Sequence, residues 1–246
     1  YQKVRHHLYG FHDVKKNFST GDWLKLVIKK IDEVKKRKKT PVLVGGTGLY
    51  FKALTDGLSK IPKIPLKIRN QIRSLQQEIG QKKFYQQLLK IDPMSVNKIK
   101  PNDTHRSLRA YEIKFYTQKS INSYFQNTKS NFKEIDFYKI YIDFPRQDLI
   151  ERIKLRTEQM INRGAVNEVK NFIKLKVKKD KSVNKAIGIN EIRQYLKNEK
   201  DLHEIIDQIS IKTRQYAKRQ STWARGNMKT WLRLKPKHLN KFLNKI

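Results

Sequence analysis

Pro41-Val42-Leu43-Val44-Gly45-Gly46-Thr47-Gly48-Leu49-Tyr50-Phe51 decides how this 246-residue sequence is read. Val42, Leu43 and Val44 are apolar, β-branched-rich and few enough for a short buried strand. Gly45, Gly46 and Gly48 free the backbone from Cβ sterics, so the chain can bend sharply and approach a bound group. Leu49, Tyr50, Ala53 and Leu54 then resume at helical spacing. The expectation is strand, glycine turn, helix. Such a turn leaves N–H groups unpaired at the helix start, where an anion can sit, and Thr47 adds a free hydroxyl. The same glycines equally suit a plain tight turn. No Lys-Ser/Thr pair follows them, so this is not a G-x-x-x-x-G-K-[ST] phosphate loop.

Outward from this stretch, composition sets the bounds. The length suits one domain with an insertion, or two small domains. With 37% hydrophobic residues the chain can bury a core. No apolar run is long enough to cross a bilayer and no signal peptide is visible. Cysteine is absent, which removes disulfides and thiolate metal sites and fits a cytosolic protein. The formal charge is +34, with 56 Lys and Arg against 22 Asp and Glu. Drift toward A/T-rich codons accounts for abundant Lys, Ile and Asn, but not for so few acids. A polyanion partner follows, nucleic acid before membrane, since no basic amphipathic terminus stands alone. The sequence opens on Tyr1 in mid-pattern, without a leading strand, and the expectation is a missing N-terminus.

Val4-Arg5-His6-His7-Leu8 holds two histidines. Neighbours in a regular element cannot both face one ion, and no carboxylate sits at ligand spacing, so no metal site is expected. Ser19 or Thr20 caps a helix from Asp22 to about Lys38, with the apolar stripe Trp23, Val27, Ile31 and Val34. Past Pro62 and Pro65 the pattern turns wholly helical. Ile68, Ile72, Leu75 and Ile79 form one stripe, ended by Gly80. Phe84, Leu88 and Ile91 form the next, before Asp92-Pro93. Asn102 or Asp103 caps a third helix whose expected buried face is Leu108, Tyr111 and Phe115. His105, Arg109 and Glu112 align on another side, where they can read one ligand together or form a solvated polar face.

Phe137 to Asp143 reads as a second strand. Asp148-Leu-Ile-Glu151 has capping-box spacing for a helix that stops near Gly164. A short helix with Val166, Val169 and Ile173 follows, then a basic loop from Lys174 to Lys185. Gly188 beyond it permits close backbone approach or ends a turn. The last long helix runs from about Asp201 to Arg225, with Leu202, Ile205, Ile209, Tyr216 and Trp223 as its expected buried face. At 100° per residue, Arg214, Lys218, Ser221 and Arg225 form one stripe on the opposite side. Arg219 falls at the margin, beside Tyr216 and Trp223, where it needs an anion or a structural carboxylate. An aligned cationic stripe suits a phosphate backbone.

Four stretches together resemble the tRNA dimethylallyltransferase (isopentenyltransferase) family. They are Val42 to Tyr50, Pro101-Asn-Asp-Thr-His-Arg-Ser-Leu-Arg109, Lys185-Ala-Ile-Gly188, and Thr213-Arg-Gln-Tyr-Ala-Lys-Arg-Gln220 with Trp223. The similarity runs from His6 to Arg225. It implies an α/β fold, with a P-loop NTPase-like parallel-sheet core whose first strands and P-loop lie before Tyr1. Residues 1–59 and 136–246 would be that core, and 60–135 a helical insertion that clamps the anticodon stem-loop. The implied reaction moves a dimethylallyl group from dimethylallyl diphosphate to the exocyclic amine of the adenosine 3′ of the anticodon, with Mg²⁺ as cofactor. The base must be flipped out of its stack, the stem-loop gripped by phosphate and shape, and the leaving diphosphate stabilised by cationic and N–H donors. A cytoplasmic monomer without membrane contact is expected.

By position, the resemblance makes Thr47 and Arg219 catalytic. Gly45, Gly46, Gly48, Arg214 and Arg219 would meet the diphosphate. Thr47, Arg69 and His105-Arg106-Ser107-Leu108-Arg109 would hold tRNA. So would Lys185-Ala186-Ile187-Gly188-Ile189-Asn190 and Lys218-Arg219-Gln220-Ser221-Thr222-Trp223-Ala224-Arg225. His105 replaces a usual glutamine, and Ile189 and Asn190 replace an aromatic residue and usually a base. The family's P-loop and proton-accepting aspartate have no counterpart in residues 1–246, so the expectation is an enzyme of this family that, over these residues, lacks the diphosphate cradle and general base and does not reach full turnover alone. Three other readings stand beside this one: prenylation of free adenine nucleotides, a nucleotide kinase-like domain, and a non-catalytic RNA-binding module.

Overall fold

The computed structural model describes residues 4–244. Over these the chain is mostly helical, with ten α-helices and a two-stranded parallel sheet. It divides into two compact units. Of the described residues, one comprises 4–52 and 134–244, the other 53–133.

In the first unit, α1 (Thr20–Lys36) is fixed at its start by a capping box. The Ser19 hydroxyl accepts from the Asp22 N–H at 3.1 Å, and the Ser19 N–H donates to the Asp22 carboxylate at 3.0 Å. Leu24, Val27 and Ile31 form its buried face. Helix α2 (Gly48–Thr55) follows the glycine turn. Its Tyr50 stacks on Trp23 of α1 with centroids 4.4 Å apart, and Phe51 meets Trp231 edge-on at 5.5 Å. Strand β1 (Ile140–Ile142) pairs in parallel with β2 (Leu232–Leu234), Ile140 opposite Leu232 and Ile142 opposite Leu234. Between them run α6 (Arg146–Asn162), α7 (Ala165–Lys174), α8 (Ile189–Leu196) and α9 (Leu202–Asn227). These bury Ile161, Ala165, Val169, Ile192, Ile205 and Ile209 in one cluster. Gly164, at φ +97°, makes the left-handed turn from α6 into α7. Helix α10 (Pro236–Leu243) closes the described chain.

In the second unit, α3 (Leu66–Ile91) is two helical segments broken at Gly80, whose φ of 74° and ψ of 163° lie outside the helical region. Helix α4 (Thr104–Thr117) is capped by Asp103, which accepts from the Arg106 N–H at 3.0 Å. Helix α5 (Ile121–Gln126) is capped by Ser120. Ile64, Leu88, Ile99, Ala110, Ile113 and Ile121 make the core. Buried Asp92 ties the connections together, accepting from the hydroxyls of Ser95 and Ser120, each at 2.9 Å.

Several expectations are corrected. Val42 to Val44 form no strand, and Val42 and Val44 are 79% and 84% exposed. A strand is defined by a ladder partner, and among the described residues none lies alongside this run. The second expected strand shortens to β1 and pairs with β2, which the sequence hid because three residues of mixed polarity carry almost no periodic signal. Helices α8 and α10 were likewise unread. Helix α6 begins after Pro145, so Asp148 sits in its first turn and does not cap it. The buried side of α4 is Ser107, Ala110, Glu112 and Ile113, while Phe115 is exposed, because small Ser107 and Ala110 let α4 approach α3 closely. On α9, Leu202 and Tyr216 are exposed, since the core below that helix ends near Ser210 and resumes only at Ala224.

Candidate active site and nucleic-acid interface

The glycine turn is seated against α9. The Gln220 side-chain N–H donates to the Gly46 carbonyl at 2.9 Å. Gly48 lies directly against the Trp223 indole, where any Cβ would overlap the ring, and a Cβ on Gly46 would meet the Gln220 amide. Here the glycines serve close approach rather than unusual torsion, since neither Gly46 nor Gly48 has positive φ. The Thr47 carbonyl accepts from the Tyr50 N–H at 3.0 Å, opening α2. Lys52 reinforces the seat by donating to the Asn227 carboxamide at 3.3 Å. Thr47 itself is exposed.

Beside this contact, Gln215, Lys218, Arg219, Thr222 and Trp223 line a concavity of about 500 Å³. Arg219 lies over the Tyr216 ring at 5.5 Å to the centroid, within the range of a cation–π contact. It is exposed, so the desolvation argument for a buried partner does not apply; aromatic stacking holds it instead. Arg214, Lys218, Thr222 and Arg225 are also exposed, so the cationic stripe faces solvent. Ser221 receives the Tyr141 hydroxyl at 3.5 Å from β1. Ala224 is 2% exposed and faces the core, which corrects its assignment to RNA contact.

The 185–190 stretch divides similarly. Lys185, Ala186 and Asn190 are exposed. Ile187 and Ile189 pack on the core, and Gly188 is buried at the start of α8. Gly188 donates its N–H to the Glu191 carboxylate at 2.8 Å and needs glycine for its φ of +105°. Ile187 and Ile189 are therefore half-buried packing residues around Gly188. Glu191, missed in the sequence, is 3% exposed and pairs with Lys212 of α9. Burial pushes its carboxyl up, but the Lys212 ammonium and the N–H bonds outweigh that, and its pKa is net lowered.

In the other unit, the expected alignment of His105, Arg109 and Glu112 is not a shared ligand face. Glu112 is 3% exposed and is ringed by arginines. Arg69 Nε and Arg109 Nη1 lie 3.5 Å from Oε2, and Arg73 Nε lies 3.8 Å from Oε1. His105 and Arg106 are exposed, and Arg106 pairs with Asp103 at 3.5 Å. Ser107 is fully buried and accepts from the Gln81 amide at 3.2 Å, so it is a packing residue, and Leu108 is half-buried. The signal for the internal role of Glu112 was present in the sequence, since Arg109 and Glu112 stand at i and i+3 on one helix.

Among the described residues no group of three or more His, Cys, Asp or Glu side chains comes together. This does not bear on the expected Mg²⁺, which is usually held by one or two carboxylates together with substrate phosphates. None of the described helices is long and apolar enough to cross a membrane.

A family profile described as IPP transferase matches residues 1–227. The chain belongs to the IPP transferase family. Within that family it is 56% identical over 245 residues to the tRNA dimethylallyltransferase of Pelagibacter ubique, covering 100% of this chain and 78% of that one. It is similar to the full-length tRNA isopentenylpyrophosphate transferase of Bacillus halodurans, with a TM-score of 0.62 at 30% identity, over 95% of this chain and 72% of that one. It is also similar to a eukaryotic dimethylallyltransferase crystallised acting on tRNA, with a TM-score of 0.79 at 25% identity. That match covers 95% of this chain and spans 60% of the length of the eukaryotic enzyme.

Proposed function

We propose that this chain modifies tRNA, transferring a dimethylallyl group from dimethylallyl diphosphate to the exocyclic amine of the adenosine 3′ of the anticodon. The amine nitrogen attacks the allylic carbon, the carbon–oxygen bond breaks with its electron pair leaving on diphosphate, and the amine proton is released to solvent. Arg219 and Arg214 counter the charge that develops on the leaving group. Trp223 and the neighbouring Tyr216 offer aromatic faces to an extruded base. Thr47 presents its hydroxyl to the reacting groups, and Lys218 and Arg225 hold RNA phosphates. Exposed Lys185 and Asn190, and in the 53–133 unit Arg69, His105, Arg106 and Arg109, add contacts to the stem-loop. The core is of the P-loop type and the 53–133 unit is the anticodon clamp.

The observation that carries this reading is the 2.9 Å bond from Gln220 to Gly46, with Gly48 against Trp223. It sets the Thr47 turn against α9, which carries the cationic stripe. A second reading, RNA binding without turnover, is favoured by the solvent-facing cationic stripe of α9, which suits phosphates whether or not chemistry follows.

The test incubates the protein with dimethylallyl diphosphate and either an anticodon stem-loop or AMP, reading the adenosine mass. Modified stem-loop with unmodified AMP supports transfer to RNA. Modification of AMP alone would overturn the RNA reading. Salt-sensitive stem-loop binding without product would select the second reading.

A further inference from the structure

The environment of Glu112 is unbalanced. One buried carboxylate faces three guanidinium groups, Arg69 and Arg73 from α3 and Arg109 from α4. The local charge is therefore positive, with three guanidiniums against one carboxylate. Among the described residues no other acid lies within 4.0 Å of the three. The separations of 3.5 to 3.8 Å exceed the ~2.8 Å of a charge-assisted hydrogen bond, so the carboxylate orients the guanidiniums without saturating them. Three guanidiniums carry about fifteen N–H donors, and a carboxylate offers about four lone-pair sites. Arg69 Nε is buried with no hydrogen-bond partner. Yet each arginine side chain is 39% to 47% exposed, so its remaining donors reach solvent.

A purely structural ion pair would need one arginine, with the others turned outward. Gathering three guanidiniums on one carboxylate, at the cost of mutual repulsion, makes sense when a further anion completes the neutralisation. We propose that Arg69, Arg73 and Arg109 form a single RNA phosphate site in the 53–133 unit, with Glu112 as its positioning residue. The ligand is a backbone phosphodiester, because planar forks fixed side by side match phosphate oxygens bidentately and read no base. This rests on the tRNA reading above and deepens it. It adds Arg73 to the contact surface, and it moves Glu112 from ligand reader to organiser.

The experiment measures anticodon stem-loop binding by fluorescence anisotropy across a salt series, with thermal unfolding of each variant. In Arg73→Ala, binding weakens ~3- to 10-fold near 0.1 M salt and the log–log salt slope falls by about 0.8, with unfolding unchanged. Glu112→Gln is the decisive variant, because it makes the protein more positive. Non-specific electrostatics predicts tighter binding; the positioning role predicts weaker binding and a shallower slope, partly restored in Glu112→Asp. Lys197→Ala, an exposed change in the other unit, leaves both quantities unaltered. Inorganic phosphate competes only at millimolar concentration if the ligand is a polyanion backbone. Tight phosphate binding with an unchanged RNA slope in Arg73→Ala would overturn the RNA assignment. Tighter RNA binding by Glu112→Gln would overturn the positioning role. If the unaltered protein fails to bind the stem-loop, the tRNA reading itself fails; if it binds and Arg73→Ala matches it, only the present proposal fails.

Discussion

The carboxamide of Gln220 reaches across 174 residues of sequence to hydrogen-bond the backbone carbonyl of Gly46. This one bond registers the glycine turn on α9, and Thr47 travels with the turn. Removing it in Gln220→Ala costs about 1 kcal/mol of local order. The expected kinetic result is a fall in transfer rate on the order of tenfold, since small misplacements of reacting groups are expensive. Stem-loop affinity should change much less. Single-turnover rates and equilibrium binding, measured on the same preparation, separate the two.

Gly46 and Gly48 make opposite demands although they lie two residues apart. A Cβ at Gly46 meets the far end of a flexible Gln220 side chain, which can swing away. A Cβ at Gly48 meets the Trp223 ring, which cannot. Gly48→Ala is therefore expected to cost ~1–3 kcal/mol of stability, as overpacking does, and Gly46→Ala well under half of that. Denaturant midpoints of the two variants test the ranking. Adding Trp223→Ala to Gly48→Ala should recover part of the loss.

Glu191 gives the first unit an acid-sensitive joint between α8 and α9. Its folded pKa lies below the ordinary 4.5, so its contribution is complete above that value. As pH falls through the lower folded value the carboxylate protonates and the contribution is lost. Asp22, whose carboxyl is held low by the Ser19 hydroxyl and N–H, behaves in the same sense, from an ordinary 3.8. Thermal unfolding followed from neutral pH to about pH 3 should decline for the unaltered protein. Glu191→Gln should begin less stable at neutral pH and show a shallower decline. A parallel decline would remove Glu191 from the account.

Ser19→Ala tests the other end of the same unit. It deletes the side-chain half of a reciprocal cap and should destabilise by about 1 kcal/mol, with unfolding curves of unchanged slope. Ser19→Asp retains an acceptor at the helix start and should recover most of the loss.

The solvent-facing stripe on α9 predicts a graded effect on RNA binding. Arg214→Ala, Lys218→Ala and Arg225→Ala should each reduce the salt slope by roughly 0.8, and additively, because each releases about one counterion-equivalent contact. Arg219→Ala should behave differently. It removes a guanidinium held over Tyr216, so transfer rate should fall more than affinity does.

Local signals carried much of the fold. The Ser19 cap, the break at Gly80, the Asp103 cap and the turn at Gly164 were all legible, because each depends on torsion or hydrogen bonding within four residues. The stripe Arg214–Lys218–Arg225 was legible for the same reason, since helical geometry alone aligns it. Family membership was legible too, from four short stretches in fixed order.

What the sequence could not decide is where each face of an element meets another. Val42 to Val44 had the composition of a buried strand, yet strand pairing and burial are made by distant neighbours, and both valines stand exposed. Glu112 sat in line with His105 and Arg109 on paper, but the close approach of α4 to α3 through Ser107 and Ala110 buried its carboxylate and brought Arg69 and Arg73 to it. Gln220 and Trp223 read as RNA contacts, and only the tertiary fold joined them to Gly46 and Gly48. Periodicity fixes which side chains share a side of a helix. Which side becomes interior, and which charged groups then become neighbours, is set by long-range packing, where burial of apolar area and neutralisation of charge are settled together.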